Sequence, residues 1–162
     1  MSAGKKFLLV GAIAAFVFAA DQYTKSLVVQ RIAENQTLSI IPDFFDLTLR
    51  YNTGAAFSLF TTMSLAFFLG ISALAIGMLI FFVLQLEEEK RRQYLALGAI
   101  LGGAIGNLCD RIRIGGVVDF LLFYYKSFSW PAFNVADIAI VCGVFVFLLE
   151  NLGLTNFRQS KD

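Results

Sequence analysis

Long apolar runs alternate with short polar stretches along this chain, and the lengths of the runs decide what they can build. Four of them, at approximately residues 7–29, 64–85, 93–110 and 132–152, match the ~20 helical residues that cross about 30 Å of hydrocarbon at ~1.5 Å per residue. The pattern predicts one membrane-embedded domain over residues 1–162, an all-α fold of four transmembrane helices. Two loops, approximately 30–63 and 111–131, would lie together on one side. In the first, Phe45-Asp46-Leu47-Thr48-Leu49-Arg50-Tyr51-Asn52 alternates apolar with polar, the period of a half-buried strand. This predicts a small β-element on the outer membrane face, closed by the turn Asn52-Thr53-Gly54-Ala55-Ala56. The second loop gathers Phe120, Leu121, Leu122, Phe123, Tyr124, Tyr125 and Trp130 beside Lys126 and Ser127. It reads as a belt of interfacial anchors or as an amphipathic helix covering a site.

Charge sets the orientation. Lys5, Lys6, Lys90, Arg91, Arg92, Arg158 and Lys161 crowd short segments on one side, while Arg31, Arg50, Arg111, Arg113 and Lys126 are spread over longer loops on the other. The positive-inside rule therefore puts both termini in the cytoplasm. Lys5-Lys6 followed by Phe7 to Ala20 has the look of a secretory signal peptide. The three further apolar segments favour an uncleaved first helix.

Composition agrees with a membrane and excludes much chemistry. Hydrophobic residues make up 58% of the chain against 15% charged, with 18 Phe and 2 Pro, and the mean hydropathy is +0.73. A net charge of +1 without a basic stripe argues against nucleic acid as a partner. The chain has no histidine, which removes Ser-His-Asp and Cys-His catalysis and HExxH zinc chemistry. Cys109 and Cys142 lie in apolar segments and read as small hydrophobes. No metal site and no cofactor is expected.

Ionisable side chains inside a membrane are costly and mark cavities or partners. Asp21 and Lys25 lie in the last third of the first helix, Asn107, Asp110 and Arg111 at the outer end of the third, and Asn134 and Asp137 at the start of the fourth. With Asp119 and Asn52 in the loops, they fall in one layer near the outer interface. The i, i+3 and i+4 spacings put each helical group on a single face. Asp21 and Lys25 are spaced for a structural salt bridge, and Gly102, Gly103 and Gly106 would let the third helix approach a neighbour closely. Helix capping is the plain role for Asp119 and Asp137. If Pro131-Ala132-Phe133 begins the helix, Asp137 lies beyond its first turn and fits that role poorly.

Three chemistries compete for this layer. A proton or ion relay through Asp21, Lys25, Asp110, Asp119 and Asp137 would have to span the bilayer, yet the segment from Ser64 through Phe82 is uncharged. A serine-lysine protease would need Lys25 or Lys126 beside Ser58 or Ser127. A paired-aspartate hydrolase needs two carboxylates sharing a proton. A non-enzymatic adaptor is recommended by composition alone.

Five segments, Asp21-Gln22-Tyr23-Thr24-Lys25, Asn52-Thr53-Gly54-Ala55-Ala56-Phe57, Gly106-Asn107-Leu108-Cys109-Asp110-Arg111, Val117-Val118-Asp119-Phe120 and Phe133-Asn134-Val135-Ala136-Asp137, resemble the successive signature blocks of the lipoprotein signal peptidase (signal peptidase II) family. The resemblance covers the whole chain. It implies a bacterial cytoplasmic-membrane aspartyl endopeptidase that acts as a monomer near the outer face and is inhibited by globomycin-type cyclic peptides. The implied substrate is a diacylglyceryl-modified prolipoprotein in contact with membrane lipid, cut just before the lipidated cysteine. It implies Asp119 and Asp137 as the catalytic dyad. Asp21, Lys25, Asn52, Gly54, Gly103, Asn107, Asp110, Arg111, Asn134 and Ala136 would support or position the site, Asp110 by pairing with a neighbouring arginine.

Overall fold

The computed structural model describes residues 3–53, 64–85 and 90–154. Its elements run α1 (Ala3–Arg31), β1 (Thr37–Ile41), β2 (Phe45–Asn52), α2 (Leu65–Gln85), α3 (Arg91–Ile114), β3 (Val117–Tyr125), β4 (Phe128–Ser129) and α4 (Val135–Asn151). Among these, α1, α2 and α3 are long and apolar enough to cross a membrane. The 17 residues of α4 make a rod of about 25 Å.

Helix α3 sits between α1 and α4 because its small residues remove the side chains that would hold the neighbours away. A β-carbon at Gly102 would stand 2.5 Å from the Ala14 carbonyl oxygen, one at Gly103 2.5 Å from that of Ala136, and one at Gly106 2.6 Å from Oδ2 of Asp21. The first meets α1, the second α4, and the third a charged side chain. Away from the sheet lies an apolar cluster: Val10, Val83, Tyr94, Leu97 and Ile100 bring all the helices but α4 together, and Ile140 and Phe147 of α4 pack against them. At its other end α3 runs on to Ile114, a turn beyond the expected boundary, so Arg111 belongs to the helix. It stops at Gly115, whose φ of 74° is left-handed and whose N–H donates to the Arg111 carbonyl.

The strands form one antiparallel sheet in the order β1-β2-β3-β4, seated on the end of α1 through Val28, Ile32, Leu49, Val118 and Phe120. The expectation of a strand over 45–52 holds, but the fold is not all-α, and the second loop is not an amphipathic helix. Its residues 117–125 are β3, an interior strand bonded to β2 and β4. Val117 and Val118 at the start of an apolar and aromatic run favour a strand covered on both faces over an amphipathic helix. Nor does β2 keep a simple greasy face. Its pairing with β3 shifts between Leu47 and Arg50, and Asp46 and Thr48 are buried along with Leu49. Tyr124 donates to Asp46 and Thr48 to the Gln36 carbonyl, which satisfies both.

Helix α4 starts later than expected. Phe133 is still extended: its carbonyl accepts from the Phe120 and Leu121 N–H groups and its N–H donates to the Leu121 carbonyl. Asn134 is the N-cap, which places Asp137 in the first turn as the third residue of the helix.

Candidate active site

Three side-chain amides, two of them buried, hold two carboxylates. Asp119, the third residue of β3, is 4% exposed. Its Oδ2 accepts from Nδ2 of Asn52 at 2.9 Å and its Oδ1 from Nδ2 of Asn134 at 2.8 Å. Asp137, half-buried in the first turn of α4, accepts at Oδ1 from Nδ2 of Asn107 at 2.8 Å and at Oδ2 from the Asn134 backbone N–H at 3.1 Å. Asn134 thus touches both: its side-chain oxygen accepts from the Asp137 N–H while its Nδ2 reaches Asp119. The reciprocal Asn134–Asp137 contacts are a capping box. The capping role that the sequence pattern disfavours for Asp137 is therefore real, because the helix begins at Val135. Capping orients the carboxylate and leaves its second oxygen to serve chemistry too.

Behind the amides lies a buried ionic cluster. Lys25 Nζ stands 2.8 Å from Oδ2 of Asp21 and 2.8 Å from Oδ2 of Asp110, and donates to Oδ1 of Asn107 at 3.0 Å. Asp110 pairs with this lysine rather than with an arginine, and its Oδ2 also accepts from the Val118 N–H. That contact ties the end of α3 to the residue before Asp119. Asp21 accepts from the Ala136 N–H at 2.9 Å, anchoring the first turn of α4 to α1. The expected Asp21–Lys25 bridge is present as one side of this larger cluster.

Burial pushes the Asp119 carboxyl up to about 6. The Asn52 hydrogen bond opposes this, and the nearby Asp137 charge adds to it. A carboxyl raised in this way, beside a second carboxyl, suits proton exchange near neutral pH. Asp137 also lines a groove of about 320 Å³ with Trp130, Phe133, Ile138, Val141 and Cys142, an apolar approach that ends on a carboxylate.

Of the residues singled out in the sequence, Asp21, Lys25, Asn52, Gly103, Asn107, Asp110, Asp119, Asn134, Ala136 and Asp137 come together here. Arg111 stands at the margin, donating to the Asn107 carbonyl at 3.4 Å with its guanidinium 5.6 Å from the Phe68 ring centroid. Gly54, with Ala55, Ala56, Phe57 and Ser58, lies outside the described residues, as do Arg158 and Lys161. The sequence reading missed Gln22, whose amide donates to Asp110 at 2.9 Å and to Asp21 at 3.2 Å. An uncharged polar residue inside an apolar helix, next to Asp21, was the available signal. Lys25 is engaged by Asp21, Asp110 and Asn107, and none of these contacts is to a serine.

A family model described as Signal peptidase (SPase) II matches residues 13–153. A lipoprotein signal peptidase of Symbiobacterium thermophilum is 44% identical over 142 residues, 88% of this chain and 91% of its own length. One from Syntrophotalea carbinolica is 42% identical over 146 residues, 89% of this chain and 91% of its own. Among solved structures, a bacterial membrane enzyme determined by the in meso method at 2.3 Å resolution superposes with a TM-score of 0.81 at 28% identity, covering 98% of this chain and 94% of that one.

Proposed function

Because the chain belongs to the signal peptidase II family of aspartic-type proteases, we propose that Asp119 and Asp137 are the catalytic dyad with which it removes signal peptides from prolipoproteins. The family supports prolipoprotein signal-peptide processing and a multi-pass bacterial membrane setting. The finer reading is that the substrate cysteine already carries diacylglycerol and that cleavage falls immediately before it. The observation that carries the dyad is the Asn134 bridge, one residue hydrogen-bonded to both carboxylates.

Two neighbouring carboxylates share one proton more cheaply than they carry two charges. One carboxylate draws a proton from water as the oxygen attacks the scissile carbonyl, the other protonates the carbonyl oxygen, and collapse delivers a proton to the leaving amine. Asn52, Asn107 and Asn134 hold the pair, the Lys25 cluster holds the Asn107 amide, and Arg111 stands at the margin of the site. Residues 1–162 act as one domain and one monomer, with α4 as a fourth crossing in the bacterial cytoplasmic membrane. Both termini are cytoplasmic, and the sheet rests at the outer face among membrane lipids, where a globomycin-type cyclic peptide would block the site.

The test is processing of lipidated prolipoprotein by Asp119→Asn and Asp137→Asn variants that accumulate normally in the membrane. Each is expected to lose about 10²- to 10⁴-fold in rate. Processing at the parental rate by either variant would refute the dyad.

A further inference from the structure

The two carboxylates are held by different kinds of donor. Among the described residues, both side-chain donors to Asp119 are neutral amides, from Asn52 and Asn134, and the residue sits in a sheet, which has little net dipole. One donor to Asp137 is the backbone N–H of Asn134, the N-cap of α4, and Asp137 itself lies in the first turn, where the helix dipole favours an anion. The other is the Asn107 amide, whose opposite end faces the Lys25 ammonium. An ammonium can only donate, so the oxygen of Asn107 must face Lys25, and Nδ2 must then face Asp137. Rotating the amide would set oxygen against carboxylate and nitrogen against ammonium. Nδ2 of Asn134 lies 3.2 Å from the same Asn107 oxygen, a second donor enforcing that orientation.

We propose that Lys25, acting through the Asn107 amide, fixes the location of the dyad's proton, leaving it on Asp119 and keeping Asp137 as the carboxylate that takes a proton from water. This rests on the dyad reading above. Lys25 is a positioning residue, since it touches Asn107, Asp21 and Asp110 and neither reacting carboxylate. The other charged groups around the pair are Asp21 on α1 and Asp110 and Arg111 on α3, and Arg111 lies within electrostatic reach of both dyad members.

The steps balance. As the water oxygen bonds to the scissile carbon, Asp137 gains a water proton and Asp119 gives its own to the carbonyl oxygen, forming a diol. When the C–N bond breaks, the Asp137 proton goes to the leaving amine and one diol proton returns to Asp119.

Isotope-edited infrared spectroscopy on the full chain in bilayers, with labelled aspartate, reads the proton without reading activity. A protonated-carboxyl band titrating near the pH at which Asp119 changes charge is expected in the parental protein. It should vanish in Asp119→Asn and persist, moved to lower pH by loss of the neighbouring charge, in Asp137→Asn. A band that survives Asp119→Asn and vanishes in Asp137→Asn overturns the assignment. For Lys25, the readout is the pH dependence of kcat/KM. Lys25→Met is expected to move the acid limb up by about one pH unit, the size of one hydrogen bond to a charged group, and Lys25→Arg to restore most of that shift. Asn107→Leu removes the donor itself and should move the limb in the same direction by at least as much; if Lys25→Met does not accumulate, Lys25→Gln, uncharged and of similar reach, decides the matter by the same readout. An equal loss of rate at every pH, with the limb unmoved, would make the contact merely structural and overturn the proposal. Should the dyad reading itself fail, the two Asp→Asn variants would remain active, an outcome separate from any of these.

Discussion

Helices α2 and α3 are similar in length and both apolar enough to cross a membrane, yet they do opposite work. The surface of α2 is almost wholly outward: Leu74 is 66% exposed, and Val83 alone among its described residues is buried. In α3 the buried positions run from Gln93 and Tyr94 to Asn107 and Asp110. The more hydrophobic helix is the less buried one. In water the order would be reversed, but lipid tails are as apolar as leucine, so apolarity gives no drive to leave them. What buries α3 is the close approach allowed at Gly102, Gly103 and Gly106 and the polar residues that have partners only inside the protein. A helix assembled in this way can carry Asn107 and Asp110 to a fixed place.

The sharpest way to break the comparison is to give α3 a side chain where it has none. Gly103→Leu sets a β-carbon against the Ala136 carbonyl, and that backbone belongs to the first turn of α4, which holds Asp137. Overpacking costs typically 1–3 kcal/mol where side chains can yield, and more is expected against backbone. The variant should fail to accumulate as folded protein, measured by protease resistance in membranes. On α2, a β-carbon at Gly77 would meet nothing within 4 Å, and Gly77→Leu should be tolerated.

Next in size is removal of the amide that joins the carboxylates. Asn134→Ala loses the donor to Asp119 and the side-chain cap of α4. Stability should fall by about 1 kcal/mol for the cap, and processing by about 3- to 10-fold, the size expected when a neutral carboxyl loses one hydrogen bond. Asn134→Asp keeps a capping acceptor but adds a third charge and cannot donate. It should therefore retain the helix while losing more activity than Asn134→Ala, a crossing of the two readouts that a purely structural Asn134 would not give.

The sequence discloses the polar layer better than the elements that deliver it. Asp21, Lys25, Asn107, Asp110, Asn134 and Asp137 stand out because each breaks an apolar run, and helical spacing puts them on shared faces. The pairing within the layer is hidden, because Lys25 meets Asp110 only once α1 and α3 are in contact. The strand identity of residues 117–125 is hidden as well, since a continuous apolar run has no period to separate a covered strand from a helix. The start of α4 is misjudged for a related reason: Pro131 looks like a first-turn proline until the bonds of Phe133 to β3 show the chain still extended.

A smaller effect separates the site from the rest by pH. A carboxyl held at about 6 when folded, against ~3.9 in an unfolded chain, binds its proton more tightly in the folded state. Its contribution to stability is therefore full below about pH 4 and lost as pH rises through about 6, on the order of 3 kcal/mol at most. Thermal unfolding in detergent should show this decline in the parental protein, and the slope should flatten in Asp119→Asn. An unchanged slope would assign the decline to other groups.

The smallest effect is expected on the outward face of α2. Leu74→Ala removes apolar surface from lipid contact and should change stability by less than about 0.5 kcal/mol. Its counterpart on α3, Leu97→Ala, removes the same atoms from a side chain that is 1% exposed and leaves a cavity among Val10, Tyr94 and Ile100, which should cost about 2–5 kcal/mol. Both variants delete equal hydrophobicity from helices of the same apparent kind. Equal losses in reversible unfolding would mean that apolarity itself holds the helices together. A large loss for Leu97→Ala alone would mean that packing does, and that α2 contributes little through its outward face.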